Sequence, residues 1–385
     1  MRWILTRLKG DKMIWITVFM IVLVSVLALY SAGSAQAYRI YGGDNEGMIM
    51  RHAFLLGAGL LIMFAVHLLN YRIFAKLSNV LLLITIPLLI YTIAAGSETN
   101  ETARWISIFG TSFQPSDLAK LTLMIYLAKL LTMRQDVIKD FTEGFLPALF
   151  WVTVICGLIA PSDLSTAILM FIASIMVMFI AGVDVKYIGL LMLVAVMGLG
   201  ILVSTAKRSA TWKARWDDYV MRIVDSEYSP NVQTTQANIA ISTSGLFGKG
   251  VGKSAQRNYL PEAHADYIYA IIIEEYGLMG GIFIILLYLL LLFRSVSIVT
   301  VSKTFGALMA SGLAFILVLQ AMMNMGVTVG ILPVTGFTLP LISKGGTSIL
   351  ITCISLGIIL SVSRDAIESK GKKRGEGLRT QLRFT

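Results

Sequence analysis

About ten stretches of roughly twenty apolar residues run through this chain, and no water-soluble core can hide them. A hydrocarbon layer about 30 Å thick is crossed by about 20 helical residues, so each stretch has the length of one crossing. They fall at roughly 13–33, 52–70, 75–95, 115–133, 145–160, 164–182, 186–205, 266–293, 304–330 and 344–363. Inside hydrocarbon the backbone must satisfy its own hydrogen bonds, which leaves helices as the economical choice. With 56% hydrophobic residues, only 14% charged ones and a mean hydropathy of +0.78, a soluble domain is excluded. The fold class expected is an all-α integral membrane protein of about ten transmembrane helices. Asp117, Lys120 and Lys129 interrupt the fourth stretch, and the fifth is short for a crossing.

Lysine and arginine in short loops and tails set orientation. The N-terminus carries Arg2, Arg7, Lys9 and Lys12, and residues 364–385 carry Arg364, Lys370, Lys372, Lys373, Arg374, Arg379 and Arg383. An even number of crossings puts both basic ends in the cytoplasm, together with the loops holding Arg72, Arg134 and Arg294. The net charge of +10 is thereby an orientation signal, and nucleic acid is not an expected partner. Residues 1–363 read as one polytopic membrane domain and 364–385 as a basic cytoplasmic tail. No cleavable leader is expected, because the first apolar run is long enough to span. Cys156 and Cys353 lie within apolar runs, which suits packing. His52, His67 and His264 show no metal-ligand spacing.

One polar segment breaks the rhythm: residues 206–265, a large extracytoplasmic loop between the seventh and eighth helices. It holds Lys207, Arg208, Lys213, Arg215, Arg222, Lys249, Lys253 and Arg257 with Trp212, Trp216 and Tyr219. Two readings stand for it, a surface resting on anionic headgroups and a site for an anionic substrate.

Where this loop meets the eighth span the chain reads "LPEAHADYIYAIIIEEYG" (260–277). Glu262 suits a helix N-terminus, where acids complement the dipole. Asp266 enters the bilayer from outside. Partial desolvation raises a carboxylate's pKa and makes it a useful proton acceptor. Continued as one helix, Asp266 shares its face with Ile273 and Gly277, while Glu274 and Glu275 lie elsewhere and about 12 Å deeper. Those two glutamates are expected to pair with basic or hydroxyl groups of neighbouring helices. "FQPSDLAKL" (113–121) places Asp117 and Lys120 three apart on one helix face, either as a self-satisfied ion pair or as a site. Asp163 in "SDLSTA" (162–167) is placed to cap a helix. Arg104, Lys120, Asp163 and Asp266 come from four segments yet all fall near the outer leaflet, and ionisable groups there mark function by default.

These strings, with "ARWI" (103–106), "MRIVD" (221–225), "TTQANIAISTSGLFGKGVGKS" (234–254), "YLPEAHADYIYAIIIEEYGLMGG" (259–281) and "GILPVTGFTLPLISKGGTS" (330–348), resemble the SEDS family (shape, elongation, division and sporulation). The resemblance covers nearly the whole chain. It implies a ten-span peptidoglycan glycosyltransferase that polymerises lipid II, an inverting enzyme with a lipid-pyrophosphate donor, at the outer face of the bacterial cytoplasmic membrane. The family's catalytic aspartate carries to Asp266 in "HADY". Arg104, Asp117, Lys120, Asp163, Glu262, His264 and Lys344 are the expected substrate-binding residues. Asp163 and Asp117 are the expected ligands of a divalent cation (Mg or Mn), the one cofactor entertained. The strings are more similar to the division branch than to the elongation branch, so septal wall synthesis is expected, beside a class B penicillin-binding transpeptidase and other divisome membrane proteins. The alternatives are a lipid II flippase and an elongation-type polymerase. Here Asp117 stands where the family usually has glutamate, "NETA" replaces the usual asparagine-glycine-alanine, and Lys344 adds a charge within "SKGGTS".

Overall fold

The structure is a computed structural model. It describes residues 9–40, 45–95, 105–108, 111–205, 209–225, 228, 231–260, 264–298 and 304–381. The first three helices are α1 (Lys12–Ile40), α2 (Asn45–Leu68) and α3 (Arg72–Ala95). A short antiparallel pair follows, β1 (Ile106–Ile108) and β2 (Thr111–Phe113), with Ile106 opposite Phe113. The bundle continues with α4 (Pro115–Met133), α5 (Leu146–Ile159), α6 (Leu164–Ala181) and α7 (Val185–Thr205). Two shorter helices, α8 (Ser209–Val224) and α9 (Val232–Ser242), fill the long segment. The chain closes with α10 (Ile268–Ser297), α11 (Thr304–Thr328) and α12 (Gly346–Gln381).

Among the described residues, eight helices are long and apolar enough to cross a membrane. The remaining two expected spans are present as α4, which carries three charged residues, and α7, an apolar helix over Val185–Thr205. α4 packs against α3, α5, α6 and α11, so protein surrounds Asp117 and Lys120, while half-buried Lys129 donates to Asn79 at 2.8 Å. Asp163 caps α6, its Oδ1 accepting from the Thr166 amide at 3.2 Å, and left-handed Gly182 ends it at φ 92°. At one end of the bundle Lys9 meets Glu368 at 3.2 Å and Arg294 clasps Asp11. Arg364 donates to the last carbonyls of α2, His67 at 2.8 Å and Leu68 at 2.9 Å. The start of α1 and the apolar end of α12 therefore share that end.

Three features add detail to the expected pattern, and one expectation needs correction. The hairpin β1–β2 forms where the sequence alternates Ile-Ser-Ile, a period-two signal too short to read as a strand. The long segment 206–265 between α7 and α10 holds two helices and a 3₁₀ turn (Gln256–Asn258). α12 runs on past residue 363 as one helix to Gln381, so the basic tail extends the last span. Finally, α10 begins at Ile268, and Asp266 lies in the preceding turn, 264–267. The helical-face comparison of Asp266 with Glu274 and Glu275 does not hold.

α10 is itself broken. Gly277 takes φ 73° and ψ −173°, a conformation essentially reserved for glycine. The freed backbone groups pair with residues 245–250: Lys249 N donates to Glu274 O at 2.9 Å and Gly250 N to Glu275 O at 3.0 Å. In return Leu278 N donates to Gly245 O at 3.1 Å. Irregular backbone inside a bundle is tolerated when protein satisfies it in this way. The acids are satisfied too. Glu274, fully buried, takes Lys249 Nζ at 2.7 Å, the Ser254 hydroxyl and the Ala255 amide at 3.2 Å, while Glu275 accepts from Ser31. The expected structural role holds, although most partners come from the long segment and not from neighbouring helices.

Candidate functional site

The segment between α11 and α12, Val329–Gly345, has no regular structure, yet Phe337, Leu339, Leu341 and Ile342 in it are buried. Its carbonyls need donors, and two amides one turn apart on α11 supply them. Gln320 Nε2 donates to Thr338 O at 2.9 Å, and Asn324 Nδ2 donates to Phe337 O at 2.6 Å. The same Asn324 amide reaches Asp266 O at 2.8 Å. Ser343 Oγ donates to Ala265 O at 2.6 Å and Lys344 N to His264 O at 3.0 Å. The Asp266 turn is thus fastened through its main chain to the α11–α12 segment, where Leu341 holds an unusual φ of 65°.

A small polar cleft is lined in part by that segment. α4 contributes Asp117 and Lys120, the mouth of α6 contributes Asp163 and Thr166, and Gln320, Phe337 and Thr338 close it. Lys120 Nζ contacts Asp117 Oδ1 at 2.7 Å and Gln320 Oε1 at 2.8 Å, all three residues being buried. Asp163 Oδ2 accepts from Thr166 Oγ1 at 2.8 Å and from Gln114 Nε2 at 3.4 Å. A buried cation flanked by hydrogen-bonding side chains can stabilise negative charge on an entering group. Asp117 Oδ2 is buried without a hydrogen-bond partner, which leaves one acceptor in reserve.

Of the residues expected to act together, Asp117, Lys120 and Asp163 share this cleft, and one polar path, Lys120–Gln320–Thr338 with Asn324–Phe337, leads from it to the Asp266 turn. His264 and Lys344 stand at that turn. Burial pushes the His264 imidazole down to about 4, and the positive Lys344 adds to the effect, so at neutral pH His264 is uncharged. It offers hydrogen bonds, not a charge. Arg104 and Glu262 lie outside the described residues. Gln114, Gln320 and Asn324 were not singled out from the sequence. The signal for the last two was available, as amides four apart in an otherwise apolar span lie on one helix face.

A resident divalent metal does not fit these donors as they stand. Lys120 already neutralises Asp117, Asp163 is committed to Thr166 and Gln114, and no third His, Cys, Asp or Glu joins them among the described residues. Calcium takes six to eight oxygen ligands, and magnesium held by one or two carboxylates draws the rest from water and substrate phosphates, so these two engaged acids form no resident site by themselves. Asp163 and Asp117 are therefore better described as a helix cap and an ion-pair partner.

An apolar cavity of about 1060 Å³ lies between α5, α6 and α7. Leu164 and Ala167 line it while their neighbours Asp163 and Thr166 line the polar cleft, so the first turn of α6 separates a polar chamber from an oily one.

Residues 11–368 match the model of the family that groups FtsW, RodA and SpoVE, described as "Cell cycle protein". The chain is 34% identical over 367 residues to "Probable peptidoglycan glycosyltransferase FtsW" of Geobacter sp. (strain M18), spanning 93% of this chain and 98% of that protein. It is 32% identical over 368 residues to "Stage V sporulation protein E" of Bacillus subtilis (strain 168), with the same coverage. Among solved structures, a chain from "Structural coordination of polymerization and crosslinking by a peptidoglycan synthase complex" superposes with a TM-score of 0.72 at 28% identity, covering 93% of this chain and 98% of that one. The rod shape determining protein RodA of Thermus thermophilus gives 0.68 at 28% identity, covering 93% and 97%.

Proposed function

The chain belongs to the FtsW, RodA and SpoVE family of cell cycle proteins, and from that premise we propose that it is a peptidoglycan glycosyltransferase. Its substrate is lipid II, its product a glycan strand on the outer face of the bacterial cytoplasmic membrane, and its setting septal wall synthesis. The single observation that carries this reading is the hydrogen-bonded path joining the Asp266 turn to the Lys120 cleft. A glycosyl transfer needs a base for the attacking hydroxyl and a cation for the leaving diphosphate, and these are the two ends of that path.

In the reaction, the 4-hydroxyl oxygen of one sugar attacks the anomeric carbon of a second, lipid-diphosphate-linked sugar. Its proton passes to the Asp266 carboxylate, the bond from the anomeric carbon to the diphosphate oxygen breaks, and lipid diphosphate leaves with the electron pair. Asp266 acts as general base. Lys120 and Arg104 neutralise the departing charge, with Lys344 and the neutral His264 at the mouth and Asp163 holding the entry of α6 in place. Inversion gives a β-1,4 linkage. The oily cavity beside Leu164 and Ala167 suits the polyprenyl tail. The proton acceptor is on the chain itself, and no step is routed through a metal.

A class B penicillin-binding transpeptidase is the proposed partner, supported by the likeness to a chain from a synthase complex that couples polymerization to crosslinking. Other divisome proteins follow from the septal setting. The test is direct: purified protein with that transpeptidase and labelled lipid II should give glycan ladders on a gel. Full translocation of lipid II without any polymer would favour the flippase reading instead.

Two further outcomes are expected. With both ends cytoplasmic, a cysteine at exposed Val232 should react with an impermeant thiol reagent applied outside cells, and one at exposed Ser369 should not. The reverse pattern would invert the topology. For Lys120, the expected role is charge for the donor beyond neutralising Asp117. Lys120→Met should then lower polymerisation even in an Asp117→Asn background, by roughly tenfold or more for the loss of a charged hydrogen bond. Full recovery in the double variant would reduce the pair to an internal salt bridge.

A further inference from the structure

A second polar cavity, of about 670 Å³, lies apart from the cleft, between α8, α9 and the end of α11. Tyr219, Arg222, Asp225, Tyr228 and Asn238 supply its polar lining, with Gly330 at its floor. The arginine is held in position. Its guanidinium sits 5.6 Å from the Tyr219 ring centre, its Nε is 3.8 Å from Asp218 Oδ2, and Tyr228 donates to the other Asp218 oxygen at 3.1 Å. The Nε is buried on the Asp218 side, so the acid orients the guanidinium that lines the cavity beside Gly330.

The cavity is also tied to the reaction centre. Tyr219 donates to Ile331 O at 2.8 Å and Arg215 to Val334 O at 3.4 Å, so α8 is stapled to the segment whose continuation, Phe337 and Thr338, closes the cleft. Tyr267, next to Asp266, records the neighbourhood electrically. Burial raises its hydroxyl pKa, Asp266 adds to the rise, and Arg222 and Arg215 oppose it.

The geometry points to a saccharide subsite here, one that holds the acceptor sugar with its 4-hydroxyl directed to Asp266. This rests on the glycosyltransferase reading above. Among the described lining residues one guanidinium, paired with Asp218, stands with the Asp225 carboxylate and offers little net positive charge for a diphosphate, whereas two tyrosine rings, an amide, a carboxylate and a planar guanidinium suit the hydroxyl and acetamido groups of an amino sugar. Cavities of this size hold small ligands. The donor, with its diphosphate, then occupies the Lys120 cleft, and Asp266 lies between the two sugars.

The experiment uses the full chain with its transpeptidase. The probe is a disaccharide-peptide of the same sugars that lacks diphosphate and lipid. Wild type should bind it in saturation-transfer NMR, and the probe should shorten the glycan made from lipid II by competing for the acceptor place. Two variants are compared: Arg222→Gln, and Asn238→Trp, which fills the cavity from an exposed position on α9 and spares the fold. Each should raise the apparent KM for lipid II and weaken the probe by about tenfold, the worth of one charge-assisted hydrogen bond, with a smaller change in kcat. Wild-type KM and undiminished probe binding in Asn238→Trp would overturn the subsite. Should wild type make no glycan, the enzyme reading fails by itself. Probe binding lost in both variants would still support the pocket, and absence of binding to wild type would remove it.

Discussion

Asp266→Asn protein is expected to fold, bind lipid II, and make glycan at least about 10²-fold more slowly than wild type, the low end of what a general base contributes. The substitution keeps the side chain's size and removes its basicity. The turn survives it, because the fastening runs through main-chain carbonyls: Asn324 to Asp266 O at 2.8 Å and Ser343 to Ala265 O at 2.6 Å. Loss of an acid near a helix start is worth about 0.3–1 kcal/mol, or up to about 2 where partly buried. Asp266→Glu is expected to recover little, since a base displaced by about 1 Å can itself lose roughly 10²-fold. The measurement is initial glycan synthesis from labelled lipid II with the transpeptidase present, alongside a thermal melt. Near wild-type synthesis by a well-folded Asp266→Asn protein would make Asp266 a helix-end acid and return weight to the flippase.

Gly277→Ala is expected to be among the most destabilising single-methyl changes at the described glycines. A Cβ there would stand 2.2 Å from Leu246 O and 2.5 Å from Gly248 N, both main-chain atoms that cannot step aside. The conformation alone costs a non-glycine residue about 1–3 kcal/mol. Parting the two strands of backbone leaves buried groups unpaired at about 1–3 kcal/mol each. A loss of roughly 3 kcal/mol or more follows, with glycan synthesis falling alongside it as the anchorage of Glu274 loosens. Gly248→Ala should behave alike, its Cβ meeting Glu275 O at 2.2 Å. Gly252 is the control: its φ is 75°, yet nothing lies within 4 Å of an added Cβ, so only the left-handed penalty of about 1–2 kcal/mol applies. Equal melting temperatures for Gly277→Ala and Gly252→Ala would show that the break in α10 carries no weight.

The bundle was legible because a crossing must be both long and apolar, and every expected span has a helix over it, α4 included despite Asp117, Lys120 and Lys129. The ion pair of Asp117 with Lys120 and the capping by Asp163 followed from spacing alone. What could not be read was the backbone that abandons periodicity. "GLFGKGVG" pairs with a broken helix from about thirty residues later, an arrangement that leaves no hydropathy signal. The same limit hid the service of Gln320 and Asn324: each amide marks a polar need within a span, but its partner is a carbonyl of the irregular Val329–Gly345 segment, and sequence does not reveal which carbonyls lack donors. The helical wheel drawn through Asp266 failed for a related reason, since an acid and an apolar run do not reveal on which residue the first turn closes.

The pairing of residues 245–256 with Glu274 and Glu275 also bears on how a ribosome-bound chain enters its membrane. Translation proceeds at about 5–20 residues per second, so with the long segment outside, as proposed, Lys249 and Ser254 would be exported on the order of seconds before the two glutamates emerge. A carboxylate entering a bilayer centre alone meets an apparent penalty of about 2.5–3.5 kcal/mol during insertion. Here the partners are already outside and waiting, and the upper half of α10 is received by an element made earlier. Order of synthesis, and not only final geometry, makes two adjacent acids admissible in this helix.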